Sequence, residues 1–132
     1  MTLSFEELKS ALKVTIPLKG FITGVSTDTR TLKPGELFIA LSGENFNGND
    51  YVREALEKGA AAAVCTATDF NEEKVVVVKD TLDALLSIAS LFRDKFDLKL
   101  LALTGSVGKT TTRGMVSEVI SSKYKTLVTQ NN

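Results

Sequence analysis

The chain of 132 residues contains no histidine. That removes every His-based triad, proton shuttle and metal site at once. A single cysteine, Cys65, cannot close an internal disulfide; in Ala-Ala-Ala-Val-Cys-Thr it reads as a small hydrophobe on a buried strand. Net charge is lacking too. Sixteen Lys/Arg balance sixteen Asp/Glu, so there is no strong field for a nucleic acid or a membrane surface, and no nucleic-acid partner is expected. No stretch reaches the roughly 18 consecutive apolar residues of a membrane span. The N-terminus, Met-Thr-Leu-Ser-Phe-Glu-Glu-Leu, has no basic region leading into an apolar one, so it is not a signal peptide and a cytoplasmic location is expected.

What is present is an ordinary globular balance, 43% apolar and 24% charged, with enough chain for a real core. The balanced charge is uneven along the chain. Residues 1–80 hold nine basic and twelve acidic side chains; residues 81–132 hold seven and four. Ser4 with Glu6 and Glu7 predicts a capped helix over 4–12. Phe21–Asp28 predicts a strand, and Pro34-Gly35 a turn. The apolar run Leu37–Leu41 predicts a strand covered on both faces, followed by a polar loop over 42–49. A helix is expected over 50–58, strands over 60–65 and 75–78, and a longer helix from Asp80-Thr81. On that helix Leu82, Leu85, Leu86, Ala89, Phe92 and Phe96 keep the spacing of one buried face. A strand over 98–103, a Gly-containing loop, a helix to about 122 and a strand over 126–129 complete the pattern. Strands alternating with helices give an α/β protein with a largely parallel sheet.

The sharpest chemical signal is Leu100-Leu101-Ala102-Leu103-Thr104-Gly105-Ser106-Val107-Gly108-Lys109-Thr110-Thr111-Thr112. An apolar strand runs into a glycine loop that opens a helix. Gly105 and Gly108 let backbone approach a phosphate, and the amides of Ser106, Val107 and Gly108 with the helix start make an anion pocket. Lys109 can place its ammonium against β and γ phosphates, Thr111 continues the helical end of the nucleotide site, and the Thr110 hydroxyl can ligate Mg²⁺. The general phosphate-loop pattern asks for glycine where Leu103 stands, so the match is to the shorter Gly-x-x-Gly-Lys-Thr-Thr form. Arg113 reads as a solvated surface residue.

Two further stretches are polar and follow strands, where open α/β sheets place ligands. Ser26, Thr27, Asp28, Thr29 and Arg30 crowd hydroxyls, a carboxylate and a guanidinium together. That set suits a ribose, a sugar or a pyrophosphate gripped by the arginine fork, and equally an ordinary strand end with turn-forming residues. Ser42–Asn49, with Gly43, Glu44, Asn45, Phe46 and Asn47 as its candidate contacts, forms a loop able to read a pyrimidine edge, or a plain surface loop.

Together these residues resemble the Mur ligase family, the ATP-dependent enzymes of peptidoglycan precursor synthesis. The resemblance rests on Ser26–Arg30, Pro34–Leu41, Gly43–Val52, Gly59-Ala60 and Thr104–Thr112. The Gly-Glu-x-Phe form of the second loop and the Lys79–Leu85 segment are most similar to the MurF type, which joins D-alanyl-D-alanine to a UDP-N-acetylmuramoyl tripeptide. The MurE type, which adds the third peptide residue, is the nearest rival. The resemblance implies a domain over 1–79 that holds the UDP-muramoyl peptide through Ser26–Arg30 and Gly43–Asn47. Residues 80–132 are then the start of a central ATPase domain, with ATP and Mg²⁺ at residues 105–111 and Lys109 in the catalytic role. The implied reaction is ADP-forming: ATP phosphorylates the peptide carboxylate, and the incoming amine displaces phosphate. Two departures stand out. Asn47-Gly48-Asn49 replaces a frequent Asp-Gly-His, and Val107 replaces a frequent asparagine.

The same resemblance implies a longer protein, with further catalytic groups and an amine-binding domain beyond Asn132. The remainder of that chain would then be a partner of these residues. Residues 98–132 alone would be under-packed, because one helix and two strands cannot cover both faces of a sheet, and these 132 residues alone would be inactive. Two other classes remain open at this point: an ATP-sensing phosphate-loop module, and an interaction domain whose polar loops are only loops. A UDP-sugar site ahead of the phosphate loop separates the ligase from the first. Gly108-Lys109-Thr110 argues against the second.

Overall fold

A computed structural model describes residues 2–44, 46–69 and 72–129. Among them the chain divides into two compact units, 1–97 and 98–132.

The first unit is built on a four-stranded parallel sheet. In chain order its elements are β1 (Leu3–Ser4), α1 (Phe5–Leu12), β2 (Phe21–Ile22), β3 (Val25–Ser26), β4 (Leu37–Ile39), β5 (Ser42–Gly43), β6 (Phe46–Asn47), a 3₁₀ turn (Gly48–Tyr51), α2 (Val52–Glu57), β7 (Ala62–Cys65), β8 (Val75–Val77) and α3 (Thr81–Asp94). The sheet order is β3-β4-β7-β8, with Val25 beside Leu37, Leu37 beside Ala62 and Ala63 beside Val75. Two short antiparallel pairs, β1–β2 and β5–β6, flank it.

The continuous apolar run of β4 is explained by its burial on both faces. Leu37 and Ile39 pack with Ala62, Val64 and Val76 against Leu8 of α1 and Ala84 and Ile88 of α3. Phe38 and Ala40 face the other way with Ala63 and Cys65, against Val52 and Ala55 of α2. One layer of the core therefore lies under α1 and α3, the other under α2. The Cys65 thiol is buried, and burial raises its pKa, so it is the inert core residue that its sequence context implies.

Local chemistry sets the helix starts. Ser4 Oγ accepts from the Glu7 amide at 3.2 Å while Glu7 Oε2 accepts from the Ser4 amide at 2.8 Å, a reciprocal capping box. Asp80 Oδ1 accepts from the Leu82 and Asp83 amides at 2.7 and 3.0 Å.

Four features differ from the sequence reading. Residues 21–28 form two short strands, because Thr23 and Gly24 leave one pairing and enter another; a Cβ on Gly24 would stand 2.9 Å from Glu36 Oε1. Residues 42–47 form a hairpin instead of a plain loop. The buried face of α3 is Thr81, Ala84 and Ile88; Leu85 and Phe92 of the expected face are half-buried against the same core, while Leu82, Leu86, Ala89 and, past the helix, Phe96 are exposed. Finally, the compact division falls after Asp97 and not at residue 79/80, since Ala84 and Ile88 of α3 complete the first unit's core.

The second unit contains α4 (Lys109–Ser121), which buries none of its residues. Residues 98–103 and 126–129, expected as strands, pair with no ladder partner among the described residues. Leu98, Leu100, Leu101, Met115, Val119 and Leu127 are exposed, the under-packing that a lone helix predicts. Arg113 differs from its reading as a solvated residue: it is half-buried, and its covered Nη1 finds no hydrogen-bond partner among the described residues.

Candidate functional site

Two sites take shape, one in each unit. In the first unit β3, β4 and β7 run parallel, so the segments leaving Ser26, Ile39 and Cys65 all emerge at the carboxyl edge of the sheet.

The Ser26–Arg30 segment is a closed turn. Ser26 Oγ donates to the Asp28 carbonyl at 3.0 Å, and the amides of Thr31 and Leu32 donate to that carbonyl at 3.2 and 3.1 Å. The Asp28 carboxylate accepts from the Arg30 amide at 2.9 Å, from Arg30 Nε at 2.9 Å and from Arg30 Nη2 at 2.6 Å. Thr29 is buried, whereas Thr27 and Arg30 are exposed. The fork to Asp28 occupies the Nε–Nη2 edge of the guanidinium. The Nη1–Nη2 edge is the one left to a bidentate anion.

The Arg30 guanidinium, then its amide, holds the Asp28 carboxyl down at about 2 from its ordinary 3.8. Away from the site, the Lys95 ammonium, then the Ser4 amide and hydroxyl, hold Glu7 at about 2 from 4.5. A depressed carboxylate stabilises the fold fully above its unfolded pKa and loses that contribution as pH falls toward the folded value. The thermal midpoint is therefore expected to stay level above about pH 5 and to decline from about pH 4.5 toward pH 2. Melting curves across that range check it. Asp28→Asn and Glu7→Gln should each flatten part of the decline, and an unchanged pH profile in the double variant would contradict the assignment.

The second loop is tied to the first unit through asparagine. Asn47 Oδ1 accepts from Ser42 Oγ at 3.1 Å and from Asn49 Nδ2 at 2.7 Å, and Asn47 Nδ2 donates to Asp50 Oδ1 at 3.0 Å. Asn49 bridges to the end of β7, its Oδ1 accepting from the Thr66 amide at 2.9 Å. The rings of Phe46 and Tyr51 stack with centroids 5.5 Å apart and planes 24° apart, both on the surface. Because β3 and β4 are adjacent and parallel, the turn after Ser26 and the loop after Ile39 leave the sheet at the same edge. An open polar depression of about 600 Å³ is lined by Asn47, Asn49, Asp50, Arg53, Thr68 and Asp69. Gly43 and Glu44 are exposed on the hairpin, and Asn45 lies outside the described residues. The other hollow, about 340 Å³ between β3 and α3, is apolar and carries no comparable set of polar groups.

The sequence reading placed Asn49 and Asp50 on the second loop and missed Tyr51 and Arg53 as members of this edge. The bond from Asn49 to Thr66 spans seventeen positions, so no local pattern marks it. The nearest available signal is the density of Asn and Asp over residues 45–50.

In the second unit Gly108 takes φ 77° as the N-cap of α4, a left-handed conformation suited to glycine. The Gly108 carbonyl accepts from the Thr112 amide at 2.9 Å, and a Cβ at Gly108 would meet nothing within 4 Å. Lys109 Nζ arches back to the Gly105 carbonyl at 2.5 Å, which holds the ammonium over the loop. Ser106, Val107, Thr110 and Thr111 are exposed along this turn. A glycine-bounded loop, a lysine folded across it and a free-standing helix start form a cradle that fits nucleotide phosphates.

A parallel α/β unit with polar loops at its carboxyl edge is followed by a glycine loop that opens a helix. A family model described as "Mur ligase family, catalytic domain" matches residues 21–93, and the chain belongs to the Mur ligase family. Within it, the relatives include several of the MurF type, and a UDP-N-acetylmuramoyl-L-alanyl-D-glutamate–2,6-diaminopimelate ligase of Bacillus licheniformis is also similar, 37% identical over 100 residues. The chain is 39% identical over 114 residues to the UDP-N-acetylmuramoyl-tripeptide–D-alanyl-D-alanine ligase of Bacillus subtilis, covering 84% of this chain and 25% of that protein. It is similar to a crystal structure of MurF from Acinetobacter baumannii, with a TM-score of 0.83 and 32% identity over 100% of this chain and 30% of the other. A MurF ligase from Thermotoga maritima, solved in complex with ADP, matches with a TM-score of 0.68 and 28% identity over 75% of this chain and 23% of that one. The chain thus spans about a quarter of the length of such relatives. Among the described residues no helix is long and apolar enough to cross a membrane.

Proposed function

We propose that this chain is the N-terminal part of a MurF-type, ADP-forming amide ligase acting in the cytoplasm. It would join D-alanyl-D-alanine to a UDP-N-acetylmuramoyl tripeptide. The observation that carries the reading is the placement of the Asp28–Arg30 fork and the Phe46–Tyr51 ring pair after adjacent parallel strands, at one sheet edge, ahead of a Gly-x-x-Gly-Lys-Thr-Thr loop. Arg30 presents its remaining guanidinium edge to the diphosphate. The stacked rings offer a flat apolar face to a base, and Asn47 and Asn49 supply donors and acceptors beside it.

In the second unit, the loop amides of residues 105–110 and the Lys109 ammonium hold the β and γ phosphates of ATP. Lys109 offsets charge that builds on the transferring phosphoryl group. A Mg²⁺ ion, when bound, would take the Thr110 hydroxyl as its ligand from this chain and would supply positive charge against the phosphates. The first step moves the γ-phosphoryl to the peptide carboxylate and releases ADP; the dipeptide amine then attacks the acyl phosphate and releases phosphate. The amine site belongs to the portion of the relatives outside this chain's match. The 132 residues alone are accordingly expected to bind without turnover.

Thermal unfolding with added ligand tests this, since stabilisation grows with ligand concentration over its dissociation constant. At a hundredfold excess over the dissociation constant, UDP-N-acetylmuramoyl tripeptide should stabilise the chain by about 2.7 kcal/mol. A response to ATP alone would favour an ATP sensor, and a response to neither ligand would contradict the ligase reading.

A further inference from the structure

The buried member of the Ser26–Arg30 turn is held from outside the turn. Thr29 is 7% exposed, and its carbonyl is held by the residue that ends one short helix. Lys58, the residue that ends α2, donates from Nζ to the Thr29 carbonyl at 3.0 Å and to Glu54 Oε1 at 2.6 Å. The Glu54 carboxyl is held below its ordinary range by the Lys58 ammonium and then by the Thr29 hydroxyl. The partners lie 29 positions apart, so this clamp belongs to the fold and not to the turn.

The helix that carries the clamp is itself fixed at both ends. At its start it continues from the Gly48–Tyr51 turn, which holds Asn49 against Thr66 and Tyr51 against Phe46. At its end the Gly59 carbonyl accepts from the Gly35 amide at 2.9 Å, and Gly59 lies so close to Pro34 that a Cβ there would stand 3.3 Å from Pro34 Cβ. The two loops of the sheet edge are therefore connected through six residues of α2.

We propose that Glu54 and Lys58 are positioning residues for the UDP site, clamping the Thr29–Arg30 peptide so that the outer edge of the Arg30 guanidinium faces a substrate diphosphate. The proposal rests on the substrate reading above and extends it to residues that touch no substrate. Asp28 fixes the orientation of Arg30 within the turn; Lys58 and Glu54 fix the turn relative to the sheet. An exposed ion pair adds little to global stability, but a hydrogen bond from a cation to a covered carbonyl constrains local geometry strongly. Loss of the clamp should therefore weaken binding more than it lowers melting.

The test compares the wild-type chain with Lys58→Met, which keeps the stem and removes the donor, and with Lys58→Arg, which keeps charge and donors. Three readouts are taken: titration calorimetry with UDP-N-acetylmuramoyl tripeptide, amide exchange at Arg30, Thr31 and Leu32, and the thermal midpoint. Lys58→Met is expected to weaken binding about tenfold and to speed exchange at those amides, while the midpoint moves by no more than about 4 °C. Lys58→Arg should recover most of the affinity. Wild-type affinity in Lys58→Met overturns the positioning role and leaves the substrate reading standing, as does an arginine variant as weak as the methionine one. Failure of the wild-type chain to bind overturns both, and calorimetry on that chain separates the two failures.

Discussion

Gly48→Ala is expected to destabilise the first unit by about 3 kcal/mol or more and to lower its thermal midpoint by about 15 °C. Gly48 is buried. A Cβ built there overlaps the Leu41 carbonyl oxygen and stands 2.7 Å from the Ala40 carbonyl carbon and 2.8 Å from the Leu41 amide nitrogen. All three are backbone atoms at the exit of β4, and no rotamer change can move them. The Gly48 amide also donates to that same Leu41 carbonyl at 2.8 Å, so the methyl group would push against the contact that seats the turn. Gly43 supplies the control: it lies on the same hairpin with nothing within 4 Å of a built Cβ, and Gly43→Ala should stay within about 0.5 kcal/mol of the parent. Urea unfolding of both variants decides the point, and equal midpoints would sink the packing argument.

Because the Gly48 turn leads directly into Asn49 and Tyr51, its failure would also disperse the second loop. This links packing to recognition: within Asn47-Gly48-Asn49 the glycine is the member whose role is steric. The flanking asparagines keep the hydrogen-bonding work, Asn47 within the hairpin and Asn49 across to Thr66.

The parts legible in the sequence are those whose cause is local or fully buried. Leu37–Leu41 announces a strand because both its faces are covered. Ser4 with Glu7, and Asp80, announce helix starts because a cap is satisfied within three residues. The glycine start of α4 is legible for the same reason, since Gly108 and Lys109 act within one turn. On α3 two stripes overlap, one through Leu82 and Leu86 and one through Thr81, Ala84 and Ile88. Helical spacing allows either, and only packing against α1 and the sheet selects the second. The clamp from Lys58 to Thr29 and the bridge from Asn49 to Thr66 join distant residues through unremarkable local sequence. Residues 98–103 have the composition of a buried strand, yet a strand exists through its ladder, and composition carries no record of the partner.

Lys109→Met should have the largest functional effect, weakening ATP binding by this chain about a hundredfold. The ammonium sits over the loop through its bond to the Gly105 carbonyl at 2.5 Å, and methionine retains the length of the stem while removing charge and donors. The carbonyl it leaves is exposed to water, so the fold should tolerate the change: α4 buries none of its residues, and the Gly108 turn is held by backbone alone. Arginine at this position restores charge but carries a wider planar fork, and partial recovery is expected. Titration with ATP, run beside titration with UDP-N-acetylmuramoyl tripeptide, separates the two sites. ATP affinity should fall while affinity for the UDP-linked peptide holds, since Arg30 and the Phe46–Tyr51 pair belong to a different compact unit. Unchanged ATP affinity would remove Lys109 from the phosphate site. An equal loss for both ligands would show that the substitution had disturbed the fold as a whole and not a single contact.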